Sequence, residues 1–309
     1  MAAIETSRLT KQFGNVVGVE DLNLVVEEGE AFGFLGPNGA GKSTTIDLLL
    51  GFVSPTRGSA EILGYDVESE SKAARRQLGV LPEGASTYNN LTGREHVEMA
   101  VEMKDGADDI EELLEYVGLA REDWERPVGG YSKGMCQRLA LGMALVGDPE
   151  MLILDEPSSG LDPSGMRDIR NIIEDQVDAG RTVFFSSHIL SEVESVCERV
   201  GIMRDGTLVT VDEVEELRAA TVSEAEVKLR VDTIPSGLNI SSIDGVSDVT
   251  TENDTIRATC STPSAKISVI NYVNEVVRIT DVVAEDTSLE TVFNAYVENG
   301  RSQSMEESS

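Results

Sequence analysis

The 309-residue sequence predicts an α/β fold with a largely parallel sheet, an inserted helical subdomain and a small α+β domain at its C-terminal end. Three observations predict it. Strand-like apolar runs alternate with helical ones through the first two hundred residues, the pattern of a parallel sheet that presents ligands at its strand C-termini. One of those runs, Ala31–Leu35, passes directly into Gly36-Pro37-Asn38-Gly39-Ala40-Gly41-Lys42-Ser43-Thr44, which has the spacing of a phosphate-binding loop and leads into a helical segment. From about Val222 the texture changes to β-branched runs around a single helical segment.

Taken in order, strands are expected at residues 31–35, 78–81, 151–154, 182–186 and 200–203, each a short continuous apolar run. Residues 93–104 and 108–118 have helical periodicity and many surface acids, which places the inserted helical subdomain at about 84–148. A strongly helical stretch, 136–146, follows Gly129-Gly130, and residues 211–219 read as the helix that ends the first domain near residue 220. Strands at 226–231, 246–251 and 255–260, a helix at 264–275, a strand at 276–283 and a helix from Ser288 make up the second domain, residues 222–299. The polar end, residues 300–309, is expected to be disordered.

Charge is the compositional outlier. There are 56 acidic residues against 25 basic ones, a net charge of −31, and the acids are spread over the whole chain. Such a field repels nucleic acid, so no nucleic-acid partner is expected. It would also repel itself and any anionic ligand at low ionic strength, whereas at ~1 M salt the Debye length falls to about 3 Å and the repulsion disappears. A salt-rich cytoplasm is the expected setting. No run approaches 18 consecutive apolar residues and nothing resembles a signal peptide, so the chain is expected to stay on the cytosolic side. Cys136, Cys197 and Cys260 lack metal or disulfide spacing and read as ordinary buried thiols.

The glycines of 36–44 let backbone N–H groups turn inward around a phosphate, where a Cβ would block the approach. Lys42 is then placed to reach β- and γ-phosphate oxygens, Ser43 to offer its hydroxyl to Mg²⁺, and the helix that begins there adds its N-terminal partial charge. The chain is therefore expected to bind a nucleoside triphosphate. Residues 151–157, Met-Leu-Ile-Leu-Asp-Glu-Pro, form a buried strand ending in two carboxylates. Alone, such a pair is equally a turn starter. Behind a phosphate loop, Asp155 is expected to hold Mg²⁺ and Glu156 to polarise an attacking water. His188, after the next apolar strand, is expected to contact a γ-phosphate, while His96, in an acidic helix, reads as a surface residue. Ser132, in Tyr131-Ser-Lys-Gly-Met135, is a good helix cap.

The order of phosphate loop, Ser132-Lys-Gly134 helix start, Leu154-Asp-Glu-Pro157, Ser159-Gly-Leu-Asp162 and Ser187-His188 resembles the ATP-binding-cassette ATPases, a branch of the P-loop NTPases. The likeness covers about residues 4–218. It implies ATP and Mg²⁺ as ligands, hydrolysis as the activity, and a homodimer in which Ser132 and Gly134 of one copy contact the γ-phosphate bound by the other. It places Asp162 in a loop that crosses the dimer interface, and Phe13 where an aromatic ring stacks on adenine; a core aromatic is the other reading of Phe13. Glu83 stands where the family usually carries a glutamine that ligates Mg²⁺; a solvated loop acid is its other reading. Tyr131, Lys133 and Met135 also depart from the commonest family version. These variants, with Leu81-Pro-Glu83 and Ser288-Leu-Glu-Thr-Val-Phe293, resemble the cassettes of two-component, drug-resistance-type exporters. That resemblance implies a separate integral membrane permease and a place on the cytoplasmic face of the membrane. With the acid excess it suggests a halophilic archaeal host. A soluble cassette ATPase acting outside transport, or the ATPase of an uptake system, are the alternatives.

Overall fold

Apolar runs separated by turns assemble here as neighbouring strands, because only pairing satisfies the backbone of a fully buried segment. The computed structural model describes residues 1–84, 87–221, 225–235, 238–252 and 254–285. It divides into two units, Met1–Asp212 and Glu213–Ser309. The first begins with β1 (Ala2–Phe13), β2 (Val16–Leu22), β3 (Val25–Glu27), β4 (Ala31–Leu35), α1 (Lys42–Leu49), β5 (Arg57–Ile62), β6 (Tyr65–Asp66), α2 (Ser71–Arg76) and β7 (Leu78–Leu81). Three further helices follow, α3 (Gly93–Met103), α4 (Ile110–Tyr116) and α5 (Lys133–Leu145). The chain continues through β8 (Met151–Asp155), α6 (Pro163–Asp178), β9 (Thr182–Ser187), α7 (Leu190–Glu194), β10 (Arg199–Arg204) and β11 (Thr207–Glu213).

Two sheets result. The larger has the order β11-β10-β4-β9-β8-β7, with β10, β4, β9, β8 and β7 parallel. Its five parallel strands match the expected runs to within a residue, whereas β11 was not expected as a strand. The other sheet, in which β1 pairs antiparallel with β2, β3 and β5, was not legible as a sheet. Its strands are half-exposed and interrupted by register shifts, so no clean alternation marks them. One core joins the sheets: Ile4, Leu9, Leu22 and Ile62 from the antiparallel side and Phe32, Phe34, Ile153 and Phe184 from the parallel side pack with Ile46, Leu48 and Leu49 of α1.

Helices α3 to α5 lie between β7 and β8 in the chain, although those strands are neighbours in the sheet. Each helix has its cap: Thr92 and Glu95 form a reciprocal capping box, Asp109 caps α4, and Ser132 accepts from the Met135 N–H at 3.2 Å. His96 is buried, at 1% exposure, and not on the surface. Its acidic neighbours take the outer face of α3, while its Nδ1 donates to the Thr92 carbonyl at 2.7 Å and its Nε2 accepts the Tyr88 N–H at 2.9 Å. Cys136, in the first turn of α5, is only half-buried, unlike Cys197 and Cys260.

The second unit contains α8 (Val214–Thr221), β12 (Ala225–Val231), β13 (Val246–Glu252), β14 (Thr255–Cys260), α9 (Pro263–Val276) and β15 (Ile279–Glu285). Its antiparallel sheet, ordered β13-β14-β12-β15, buries Val227, Leu229, Ile256 and Ala258 against Val269 and Val273 of α9. Two boundaries differ from expectation. Residues 211–213 continue a strand, so the helix starts at Val214, and α9 runs to Val276, so the last strand starts at Ile279. The expected helix from Ser288, with the 288–293 motif, and the tail 300–309 lie outside the described residues.

Candidate active site at the parallel strand ends

The sheet order explains how residues far apart in sequence come together. Strands β4, β9, β8 and β7 run side by side in one direction, with Leu35 opposite Ser187, Asp155 opposite Ser186 and Leu81 opposite Leu154. Their C-terminal ends therefore carry, as neighbours, the loop from Gly36, then Ser187-His188, then Asp155-Glu156, then Pro82-Glu83. A cleft of about 500 Å³ opens there, lined by Phe13, Val16, Val17, Gly18, Glu83, Glu156 and every residue from Pro37 to Thr44. Gly36 lies behind the loop, where its carbonyl accepts from Lys42 Nζ at 2.7 Å.

The loop closes around α1. Gly41 has φ +105°, a left-handed value that favours glycine, and a Cβ there would stand 2.5 Å from the Gly18 carbonyl oxygen. The β1–β2 hairpin is thereby pressed onto the loop. Phe13 is 49% exposed at the end of that hairpin, which rules out the core-aromatic reading. Val16 and Val17 share the cleft with it; two exposed valines beside an exposed phenylalanine were the signal that sequence reading missed.

Glu156 sits at the centre of the polar groups. It is 8% exposed, and its carboxylate meets Lys42 Nζ at 3.3 Å through Oε1 and His188 Nδ1 at 2.7 Å through Oε2. A carboxylate accepts, so His188 carries its proton on Nδ1. The backbone of Glu156 is left-handed, with φ +51°, a conformation costing ~1–2 kcal/mol for a residue with a Cβ. Hydrogen bonds hold it: its N–H donates to Ser186 Oγ at 3.0 Å, and its carbonyl and that of Pro157 accept from Gln137 Nε2 at 3.4 and 2.8 Å. Ser186 in turn donates to Asp155 Oδ1. Ser186 and Gln137 were also missed; a serine inside a buried strand and a buried glutamine in the apolar face of α5 were their only traces.

The oxygens offered by Ser43, Asp155 and Glu83 are of the kind a hard divalent cation takes. No cluster of three or more His, Cys, Asp or Glu side chains among the described residues could hold a metal alone. A magnesium ion there would draw its remaining oxygens from phosphate and water, as is usual for it. Asp47, one turn beyond Ser43 on α1, has its carboxyl held above the usual range by burial and, second, by the charge of Asp155.

Ser132, Gly134 and Asp162 do not line this cleft. They belong to a second constellation, in which Lys133 Nζ approaches Ser159 Oγ at 3.4 Å and Asp162 caps α6 through the Gly165 N–H.

Residues 19–159 match the family model described as ABC transporter. The chain is 44% identical over 210 residues to the bacitracin transport ATP-binding protein BcrA of Bacillus licheniformis, covering 66% of this chain and 68% of that protein. It is 36% identical over 257 residues to BcrA of Enterococcus faecalis (82% and 83% coverage), and 32% identical over 258 residues to the linearmycin resistance ATP-binding protein LnrL of Bacillus subtilis (80% and 81%). Among solved structures, an ATP-binding subunit of an ABC transporter superposes with a TM-score of 0.64 at 30% identity, over 71% of this chain and 92% of that one. A dimeric bacterial ABC transporter cassette gives 0.64 at 25% identity, over 68% and 98%. With a phosphate loop and Glu156 facing one cleft, His188 and the Ser186–Asp155 pair hydrogen-bonded to Glu156 behind it, and with these relatives, the chain belongs to the ATP-binding, ATP-hydrolysing subunits of the ABC transporters.

Proposed function

We propose that two copies of this chain close around two ATP molecules with Mg²⁺ and pass their opening and closing to a separate membrane permease, at the cytoplasmic face of the membrane. The observation that carries the reading is the division of the site: the phosphate loop, Glu83 and Glu156 share one cleft, whereas Ser132, Gly134 and Asp162 lie outside it. A second copy would supply the missing contacts to the γ-phosphate. In this reading Lys42 and the loop amides bind the phosphates, Ser43, Asp155 and Glu83 hold the Mg²⁺, Glu156 orients the attacking water, and His188 contacts the γ-phosphate. Bound Mg²⁺ supplies charge neutralisation at the phosphates.

The relatives named for bacitracin transport and linearmycin resistance support an exporter of drug-like compounds. No helix among the described residues is long and apolar enough to cross a membrane, so the permease is a separate chain in this proposal. Size-exclusion chromatography of the Glu156→Gln variant in multimolar KCl tests the shared site. Mass doubles on adding MgATP and stays monomeric without it; an unchanged mass with ATP demonstrably bound removes Ser132 and Gly134 from the site.

Phe13 is the proposed adenine platform. Phe13→Ala weakens ATP affinity roughly fivefold, the worth of about 1 kcal/mol of stacking, and leaves inorganic triphosphate binding unchanged. Equal loss for both ligands, in titration calorimetry, removes the platform role.

The net charge of −31 supports a halophilic archaeal host, and its consequence is measurable in vitro. Far-ultraviolet circular dichroism shows native ellipticity in multimolar KCl and partial unfolding in dilute buffer, where carboxylate repulsion is unscreened. Superimposable spectra refute the salt requirement.

A further inference from the structure

Immediately behind His188 lies a buried carboxylate that the proposed chemistry does not use. Glu192, on α7, is 9% exposed. Its Oε2 accepts from Ser187 Oγ at 2.7 Å, and its Oε1 is sealed from solvent without a hydrogen-bond partner among the described residues. Ser187 has one hydroxyl proton, and the 2.7 Å bond to the carboxylate outcompetes the 3.3 Å approach to the Ile189 carbonyl. Its oxygen is left to accept the Ile189 N–H at 2.9 Å. Residues 187, 189 and 192 thus form a closed clamp that brackets His188 on both sides in the chain.

Glu192 also lies near the segment that follows Glu156. It lines a small pocket of about 20 Å³ with Pro157 and Ser158, the two residues after Glu156, and with Ile169, Arg170 and Phe185. An apolar side chain would fill this position without leaving a buried oxygen to pair. A clamp on His188 gives a reason for the carboxylate that packing does not.

We propose that Glu192 is a positioning residue for hydrolysis: through Ser187 it sets where His188 stands against Glu156. The proposal rests on His188 and Glu156 acting together in the proposed function. Displacing a reacting group by ~1 Å can cost about a hundredfold in rate, so the clamp governs turnover without touching substrate.

The test reads His188 directly. The chain has two histidines, and His96, hydrogen-bonded to Thr92 and Tyr88, is the internal reference. In ¹⁵N spectra of the full chain without nucleotide, Glu192→Ala and Ser187→Ala move the His188 ring signals and leave those of His96 in place. In both variants kcat falls about tenfold to a hundredfold, while ADP affinity, which owes nothing to a γ-phosphate, stays within about twofold. Glu192→Gln still accepts from Ser187 and restores both readouts. The Ser187→Ala/Glu192→Ala double variant is no slower than the slower single, as expected for one unit. Unmoved His188 signals in Ser187→Ala overturn the proposal even if Glu192→Ala fails to fold. So does a fall in ADP binding and thermal stability that matches the loss of turnover. The spectra need no hydrolysis, so a chain that proves inactive counts against the proposed function and not against the clamp.

Discussion

Glu156→Gln lowers ATP turnover roughly a thousandfold and leaves ATP bound, because the substitution removes the proposed base and its charge while keeping its shape. The amide has the volume of the carboxylate and its oxygen still accepts from His188 Nδ1, which approaches at 2.7 Å. The backbone that sets its direction is held by Ser186 and Gln137, through the Glu156 N–H and carbonyl. What is lost is the capacity to take a proton from water and the ion pair with Lys42 at 3.3 Å. Freed of that partner, Lys42 is more available to phosphate, so ATP affinity is unchanged or tighter. Phosphate release measured beside equilibrium ATP binding checks both halves. Turnover within about threefold of the native rate removes Glu156 from the base role; loss of ATP binding means the carboxylate is needed to shape the loop.

Gly79→Ala lowers stability by about 3 kcal/mol, the upper part of what overpacking a close contact costs. Gly79 lies in β7, and a Cβ there would stand 2.2 Å from the Ala144 carbonyl oxygen and 2.5 Å from Leu152 Cδ2. The first obstacle is backbone of α5 and cannot rotate away, so strand and helix must separate. Both carry site residues, Glu83 just beyond β7 and Ser132 at the cap of α5. Thermal unfolding followed in multimolar KCl should show a midpoint lower by about 6–12 °C. Gly142→Ala, also on α5, is the control. Its Cβ meets Val117 Cγ2 at an ordinary 3.4 Å and the change adds helix propensity, so the midpoint holds or rises. Equal effects of the two substitutions would show that close packing of β7 on α5 is not what Gly79 secures.

The parallel strands and the phosphate loop were legible in the sequence because each is a local signal. A continuous apolar run such as 151–154 has few alternatives to a buried strand, and a loop of fixed glycine spacing carries its backbone geometry with it. The antiparallel sheet was not legible, since β1 is half-exposed and its partners break register. His96 shows the same limit at one residue: a histidine flanked by acids on a helix reads as solvated until the face it shares with Val97 is known to be buried.

The chemistry-bearing residues Lys42, Ser43, Asp155, Glu156 and His188 were named by sequence alone, because phosphate binding and water activation demand particular groups directly after strands or at helix starts. Their meeting was decided by tertiary structure. Strand order β4-β9-β8-β7 differs from chain order, and parallel pairing puts all four C-terminal ends on one side, so residues 36–44, 83, 155–156 and 188 become neighbours. The left-handed backbone of Glu156, its supports Ser186 and Gln137, and the clamp of Glu192 on Ser187 leave no local signature, since each depends on contacts across 5 to 30 residues of chain. Local sequence determines which groups are available; the register of a buried sheet determines which of them touch.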